Sequence, residues 1–581
     1  MRRDGFVALV GPNALAERAP TSDLEQRLRL SHTQQFPDLH FDGARIGDAL
    51  LLPDGLGIVW GRLFDRSGNP VRTVSPDTAR DWISSGGRDL VATFWGSYIA
   101  LLVGEDHLLA IRDPSGATPC YYASTAGGVV LASDAERARS AAALPVAIDW
   151  TEIRSELQHI GRRTARTALA GFSELLPGTA LRISEREARV ATLWSPYQFV
   201  GGWRAPSDFG DAAHKVREVV AQTVRALTSD CVRPLSEVSG GVDSSIVTAA
   251  LSLAGRNARC VTVRGGDSDL DERPYAKAVA VRCGFAWKQV VLDVDDVDIR
   301  RSDAFALPRP SARAFSQAVD EASLLAAREM GCDAFVSGGG GDNVFWYFQN
   351  VLPALDRLRC QGVGGFLATV HDLAWMSGVS RAEALRLSIR RLFRRVPRPW
   401  PHDISLLAPE ACSIEPMSLH PWLPAPSGTV PGVQAYARLL VLMQGQYEAA
   451  RRAEAGTILA PLLAQPVIET CLAIPSWFWC REGRNRAVAR AAFADLLPSE
   501  ILARRSKGGF DGFAYAVFLR NRVLVREMLL DGALAQQGLL DRPEVERLLS
   551  GSAEESNLLA NRLLRLVSIE AWLASWSGRL G

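Results

Sequence analysis

The chain has 581 residues, too many for a single hydrophobic core and enough for two to four domains. With 47% hydrophobic and 22% charged residues, it can bury sizeable cores, which excludes wholesale disorder. Its 65 basic and 64 acidic residues leave a net charge of +1, so nothing calls for a polyanionic partner such as nucleic acid.

Residues 1–200 are predicted to be β-rich. VATFWGSYIALLVGEDHLLAIRD (91–113) and GVVLASD (128–134) are short apolar, β-branched or aromatic runs broken by Gly, Asp and Pro. Antiparallel strands in two packed sheets fit that pattern. A Gly/Pro/Ser/Asp stretch at 201–211 is a candidate linker, and DAAHKVREVVAQTVRAL (211–227) has helical periodicity.

Strand and helix then alternate. PLSEV (234–238), ARCVTVR (258–264), KQVVLDV (288–294) and CDAFVS (332–337) are predicted strands. SSIVTAALSLAG (244–255), PYAKAVAVRCG (274–284) and EASLLAAREMG (321–331) are predicted helices. Short βα connections imply a doubly wound parallel sheet covered on both faces. From about residue 345 the chain turns mostly helical. RAEALRLSIRRLFRRV (381–396) and VQAYARLLVLMQGQYEAARRAEAG (433–456) are predicted helices, with a Pro- and Trp-rich irregular stretch between them.

Two turns carry the chemistry. The strand PLSEV ends in Ser239-Gly240-Gly241-Val242-Asp243-Ser244-Ser245, and a helix begins at once. Two glycines allow a tight turn close to a bulky anion, and the helix N-terminus supplies free N–H groups for phosphate oxygens. The serine hydroxyls add donors. Asp243 would repel phosphate unless a cation such as Mg²⁺ bridged them. The turn lacks the Lys of a kinase or GTPase loop and resembles the pyrophosphate loop of enzymes that split ATP into AMP and pyrophosphate. A plain helix cap is the alternative. The strand CDAFV is followed by Ser337-Gly338-Gly339-Gly340-Gly341-Asp342-Asn343. Four consecutive glycines suit a loop that presses its backbone on a ligand, and a surface loop is the alternative. Loops at the carboxyl ends of a doubly wound sheet share one crevice, so Asp342 can meet Asp243 across one Mg²⁺.

The two turns in this order resemble the asparagine synthetase superfamily. Arg112-Asp113-Pro-Ser-Gly116-Ala-Thr-Pro119-Cys-Tyr121-Tyr122 resembles a segment of its glutaminase-like domain, and GFSELLPGTALRI with Trp194 resembles the domain boundary. The resemblance implies an Ntn-type, class II amidotransferase-like domain at 1–200 and an ATP-pyrophosphatase domain at 210–581. A working glutaminase of this type needs a cysteine as first residue after Met removal. Arg2 stands there, so the first domain is expected to be a retained scaffold or docking surface. Where asparagine enzymes carry S-G-E-G-A-D-E, Gly339 and Asn343 replace glutamates, which points away from free aspartate and toward a larger acyl group.

The chain also resembles lasso peptide cyclases, bacterial macrolactam synthetases of that superfamily. The residues that carry this are SGGGGDNVF (337–345), His420-Pro421-Trp422-Leu423, PLLAQPVIETCLAIP (461–475), GRNRAVARAAF (483–493) and ARRSKGGFDG (503–512). The resemblance implies ATP and Mg²⁺, a leaderless core peptide as substrate, and a leader peptidase and leader-binding protein as partners. The nucleotide set is then Ser239, Gly240, Gly241, Asp243, Ser244, Ser245, Val263, Ser337, Gly338 and Gly339, with Asp243 and Asp342 on the metal. The alternatives are a β-lactam-type or ammonia-dependent asparagine synthetase, or a degenerate scaffold protein.

Lys507 is the expected countercharge for the acyl transfer. Glu448 is the candidate general base and Glu454 its rival; a helical Glu paired with Arg451 or Arg452 is the alternative. Arg484 and Arg486 are candidates for phosphate or the substrate tail, or for surface ion pairs. The run RRLFRRVPRPW (390–400) reads as a solvated helix face or a partner contact. Trp375, Trp422, Trp477 and Trp479 are pocket or core residues. Nine scattered cysteines without a C-x-x-C pair exclude a zinc ribbon and fit reduced thiols in a cytoplasmic protein. No run reaches the ~18 apolar residues of a membrane span, and MRRDGFVALVGPNALAER lacks the apolar stretch of a signal peptide.

Overall fold

The computed structural model describes residues 5–11, 27–30, 39–43, 49–185, 187–201, 205–265, 271–311, 315–347, 350–393, 400, 402–412, 418–505, 508–551 and 553–578. The N-terminal strands are β1 (Phe6–Val10), β2 (Arg27–Leu30), β3 (Leu39–Gly43), β4 (Leu50–Leu51), β5 (Gly57–Asp65), β6 (Phe94–Val103), β7 (Leu108–Arg112), β8 (Tyr121–Thr125), β9 (Gly128–Ala132), β10 (Ser173–Glu174), β11 (Thr179–Ile183) and β12 (Ala188–Thr192). They form two six-stranded sheets, ordered β10-β8-β9-β1-β3-β2 and β12-β11-β7-β6-β5-β4. Val91–Thr93, predicted as strand, close the helix Arg88–Thr93, and β6 starts at Phe94.

The sheets pack face to face over Phe6, Phe41, Trp60, Ile99, Leu101, Leu131 and Leu181. Their alternate residues are buried as well, because helices cover the outer faces. Val59, Tyr98, Ala100 and Ile111 share a cluster with Val216, Val220 and Val224 of helix Phe209–Leu227. Val7, Leu9, Val130 and Ala132 share another with Leu563, Val567 and Trp572 of helix Ala553–Ser577. The C-terminal helix thus returns to the first sheet, and the sandwich is embedded in the rest of the chain.

The second sheet system is parallel: β13 (Pro234–Glu237), β14 (Arg259–Arg264), β15 (Ala286–Val291), β16 (Ala334–Ser337) and β17 (Thr457–Leu459), in the order β15-β14-β13-β16-β17. Helix Ser316–Met330 covers Leu235, Val261 and Phe335 on one face. Helices Val242–Leu253 and Arg273–Cys283 cover Cys260 and Val336 on the other. The architecture is α/β, with a β-rich N-terminal part, a parallel sheet and a helical C-terminal part. The strand β17 was not expected; three residues are too short to show a period, and they are supplied from far along the helical half.

The predicted helix 433–456 ends early. It runs over Pro431–Leu442, and Gly445 then takes a left-handed φ of 73°. A β-carbon at Gly445 would run into the Arg163 guanidinium. Leaving the helix here delivers Tyr447 and Glu448 to separate partners. Among the described residues, no helix is long and apolar enough to cross a membrane.

Asp356 ties the helical part together. Fully buried in helix Leu352–Ser377, it accepts from Gly432 N (2.8 Å) and Ser476 Oγ (2.6 Å). Burial outweighs these two bonds and pushes its carboxyl up to about 6. Folding therefore costs free energy once Asp356 is ionised, a penalty absent well below pH 3.8, growing as pH rises through that value and complete above about pH 6. Asp356→Asn carries a fixed loss from the altered hydrogen bonds. Relative to the native protein it should gain about 2–3 kcal/mol between pH 4 and 7, read from urea denaturation across that range.

Candidate active site

The two glycine-bearing turns lie side by side. They leave β13 and β16, which are parallel neighbours in register, with Glu237 opposite Ser337. The sheet's strand order reverses between these two strands, so both turns open onto the crevice where such sheets bind ligands.

Gly240 has a φ of 71°, and any β-carbon there would strike Tyr275 and the Ala276 backbone. The Ser244 and Ser245 hydroxyls donate to Gly241 O at 3.2 and 2.7 Å, while Ser239 N donates to Ser244 Oγ. No side chain caps the helix Val242–Leu253, which leaves its N-terminal N–H groups without a side-chain acceptor at the cap. That is the geometry of an anion cradle.

The second turn is glycine-rich because it is packed against protein. β-Carbons at Gly338 and Gly341 would collide with the Ser244 backbone and the Asp243 side chain. One at Gly339 would meet the Tyr447 hydroxyl, and one at Gly340 would meet Leu463. What these glycines press on is thus the first turn and two side chains of the helical half. Tyr447, not singled out from the sequence, donates to Ser337 Oγ at 3.0 Å.

The two turns bring Asp243 and Asp342 together. Arg486 Nη1 lies 2.7 Å from Asp243 Oδ2 and 2.8 Å from Asp342 Oδ1. Burial works against the Arg486 charge, but the two carboxylates outweigh it and raise its pKa. One point in space, held here by the Arg486 guanidinium, is therefore within reach of both acids, and a divalent cation shared by them would have to displace Arg486. Among the described residues there is no group of three or more His, Cys, Asp or Glu able to hold a metal. A two-carboxylate site suits Mg²⁺, whose remaining positions go to phosphates and water.

Other predicted residues are dispersed. Arg484 is exposed. Arg490, four residues after Arg486, is buried on the carbonyls of Asn485, Ile501, Leu502 and Arg504. Lys507 lies outside the described residues. Its neighbours flank the first turn: Arg504 and Gly508 N both bond Glu272, and the Arg504 guanidinium sits 4.3 Å over the Tyr275 ring. Val263, near the end of β14, lines a small cleft with Glu272, Gly508 and Phe510. Trp422 and Trp479 are core residues, Trp477 is nearly buried, and Trp375 is exposed.

Glu448 sits in a buried ion cluster with the β-sandwich. Its Oε1 accepts from Arg163 Nη2 (2.5 Å) and Arg112 Nη2 (3.3 Å), and its Oε2 from the Tyr121 hydroxyl (3.2 Å). Arg112 and Arg163 also bind Glu174, as does Arg309. Burial opposes the Arg112 charge, and Glu174 and Glu448 more than offset that and raise its pKa. A general base needs a lone pair aimed at the substrate's proton, whereas this carboxylate is turned into a tether. The anticipated pairing with Arg451 or Arg452 is not made: Arg451 N and the Arg452 side chain bind Asp320 instead, and Glu454 is exposed.

Residues 215–574, more than half of the chain, match the family model described as asparagine synthase. No curated protein matches the chain. Among solved structures it is similar to glutamine phosphoribosylpyrophosphate (PRPP) amidotransferase from B. subtilis complexed with ADP and GMP, at 11% identity over 58% of this chain and 77% of that one. It is also similar to the allosteric regulatory enzyme of purine biosynthesis, at 11% identity over 57% of this chain and 83% of that one. With TM-scores of 0.21 and 0.20, neither likeness bears on the fold.

Losing a carboxylate from the shared cation point should weaken MgATP binding. Asp243→Asn is expected to cost about ten- to hundredfold in MgATP affinity by isothermal titration calorimetry, whereas metal-free ATP in chelator should bind the variant at least as well as the native protein, because a repelling charge is gone.

Proposed function

The chain belongs to the asparagine synthase family, and from that premise we propose that it closes a macrolactam ring in a ribosomally made peptide. The family consists of ATP-dependent amide-forming ligases, so amide bond formation is the coarse activity. In the proposed reaction an Asp or Glu side chain of a leaderless core peptide attacks ATP. Pyrophosphate leaves, and the peptide's own N-terminal amine displaces AMP, giving a lasso peptide.

One observation carries the choice of substrate. Gly339, where asparagine enzymes carry a Glu, has no room for any side chain while Tyr447 keeps its bond to Ser337. The acid that the asparagine enzymes place at this point is replaced by a phenol, which favours a neutral, larger acyl group over free aspartate. A second fact agrees. The one cysteine among residues 1–200, Cys120, is fully buried, and desolvation pushes its thiol up to about 12. That thiol is no nucleophile for glutamine.

In this reading Ser239, Gly240, Gly241, Ser244 and Ser245 hold the phosphate tail at the helix N-terminus, with Gly338 and Gly339 closing the opposite side and Val263 near the base. Asp243 and Asp342 would hold Mg²⁺, which supplies countercharge to the phosphates. Lys507, three residues after Arg504, is assigned the charge building on the carbonyl oxygen. Glu448 is assigned a positioning part rather than proton removal. A leader peptidase and a leader-binding protein are proposed to deliver the peptide in the cytoplasm.

The test is direct. Incubation with ATP, Mg²⁺ and leaderless linear peptides should release AMP and yield a product lighter by one water, and Asp243→Ala should lose it about a hundredfold or more. Unchanged peptide mass, with pyrophosphate exchange driven by a small amino acid, would replace this reading by an asparagine or β-lactam type of synthetase.

A further inference from the structure

A cavity of about 620 Å³ lies between the β-sandwich and the parallel-sheet half. The sandwich contributes Trp60, Leu63 and Trp95, and the turn Ser115–Pro119 of the RDPSGATP segment. The other half contributes Met443, Tyr447, Leu459 and Leu463. We infer that this cavity binds the peptide substrate, holding a stretch of several residues next to the acyl-transfer site; the inference rests on the ring-closing reading above.

Three observations carry it. The first is position. Tyr447 lines the cavity and also donates to Ser337 on the second turn, while Leu463 lines it and abuts Gly340. These two side chains are the partition between the cavity and the nucleotide crevice. The second is size and chemistry. Pockets of about 300–1,000 Å³ bury ligands of several residues' bulk, whereas a free amino acid needs far less. Trp60, Trp95, Met443 and Leu463 share the lining with Arg62, Asp230, Asp333 and Gln446, a mixed wall that suits the side chains and backbone of a peptide stretch better than a small dicarboxylate.

The third is that the walls are fixed. Arg112 opens the RDPSGATP segment, and it binds both Glu448 and Gly116 O, the latter at 2.8 Å. The same guanidinium therefore sets the sandwich wall and the segment that bears Tyr447. A sandwich whose one cysteine is an unreactive core thiol retains this machinery because it forms half of a binding site.

Cys231 lines the same cavity and is partly buried, so it reports on occupancy without any mutation. Maleimide labelling of Cys231 in the native protein, followed by mass spectrometry, should slow about tenfold when the cyclisable linear peptide is present at ten times its dissociation constant. Free aspartate should leave the labelling rate unchanged. Thr118→Trp, which fills the cavity from the sandwich side, should raise KM for the peptide about tenfold or more at unchanged MgATP affinity. A peptide that is cyclised by both proteins at equal KM, and that leaves Cys231 as reactive as before, overturns the cavity assignment and spares the ring-closing reading. Shielding by free aspartate overturns the peptide class. Absence of cyclised product from every peptide sinks the reading and this inference with it.

Discussion

Two like charges held against one another by neighbouring strands set the terms for the whole site. At an effective dielectric constant of about 20, two unit charges about 4 Å apart repel by roughly 4 kcal/mol. Asp243 and Asp342 are brought within reach of one guanidinium nitrogen because β13 and β16 are adjacent and parallel, and because the glycines of the second turn let it sink onto the first. Such a pair persists only with a cation between its members. Arg486 fills that part, and it arrives from a segment more than 140 residues beyond Asp342 in the chain. The helical half is thus not an appendage to the nucleotide fold; it supplies the charge without which the two turns would push apart.

A second electrostatic knot does the same for the β-sandwich. Arg112, Arg163 and Arg309 surround Glu174 and Glu448, with the Tyr121 hydroxyl completing the set. Buried ions of this kind are poor sources of net stability, since desolvation offsets their attraction. Removing one partner is nevertheless costly, because a bare charge is left in the interior. The cluster therefore acts on register more than on stability: the sandwich and the segment 443–450 can meet in one way only. Glu469 repeats the device on the other side, accepting from Trp194 Nε1 (3.0 Å) and Arg66 Nη1 (2.8 Å).

Local signals made the fold and the position of the two glycine-bearing turns legible in the sequence. Both turns follow a predicted strand, and the first leads at once into a predicted helix, so their placement at carboxyl strand ends followed from periodicity. The limits were non-local. Three-residue β17 exists only because β16 offers it an edge. Glu448 was read as helical because LLVLMQGQYEAARR has the right period, but Gly445 breaks the helix to fit Arg163, a residue 282 positions earlier. Arg486 carried no mark distinguishing it from Arg484 except that Arg490 follows one helical turn later on the same face. The glycine run was recognised as a close approach, but sequence could not say to what.

That last point changes how such a run is to be understood. Each of the four glycines is required by a different neighbour: Ser244, Tyr447, Leu463 and Asp243. Two of these neighbours belong to the partner turn, and two belong to the wall of the interdomain cavity. A substitution at Gly339 or Gly340 would thus displace Tyr447 or Leu463 and be felt on the cavity side, whereas one at Gly338 or Gly341 would part the two aspartates. A four-residue turn therefore couples the interdomain cavity to the crevice of the two turns by steric contact alone. No motion need be invoked, because any group that fills one side sets the position of backbone on the other.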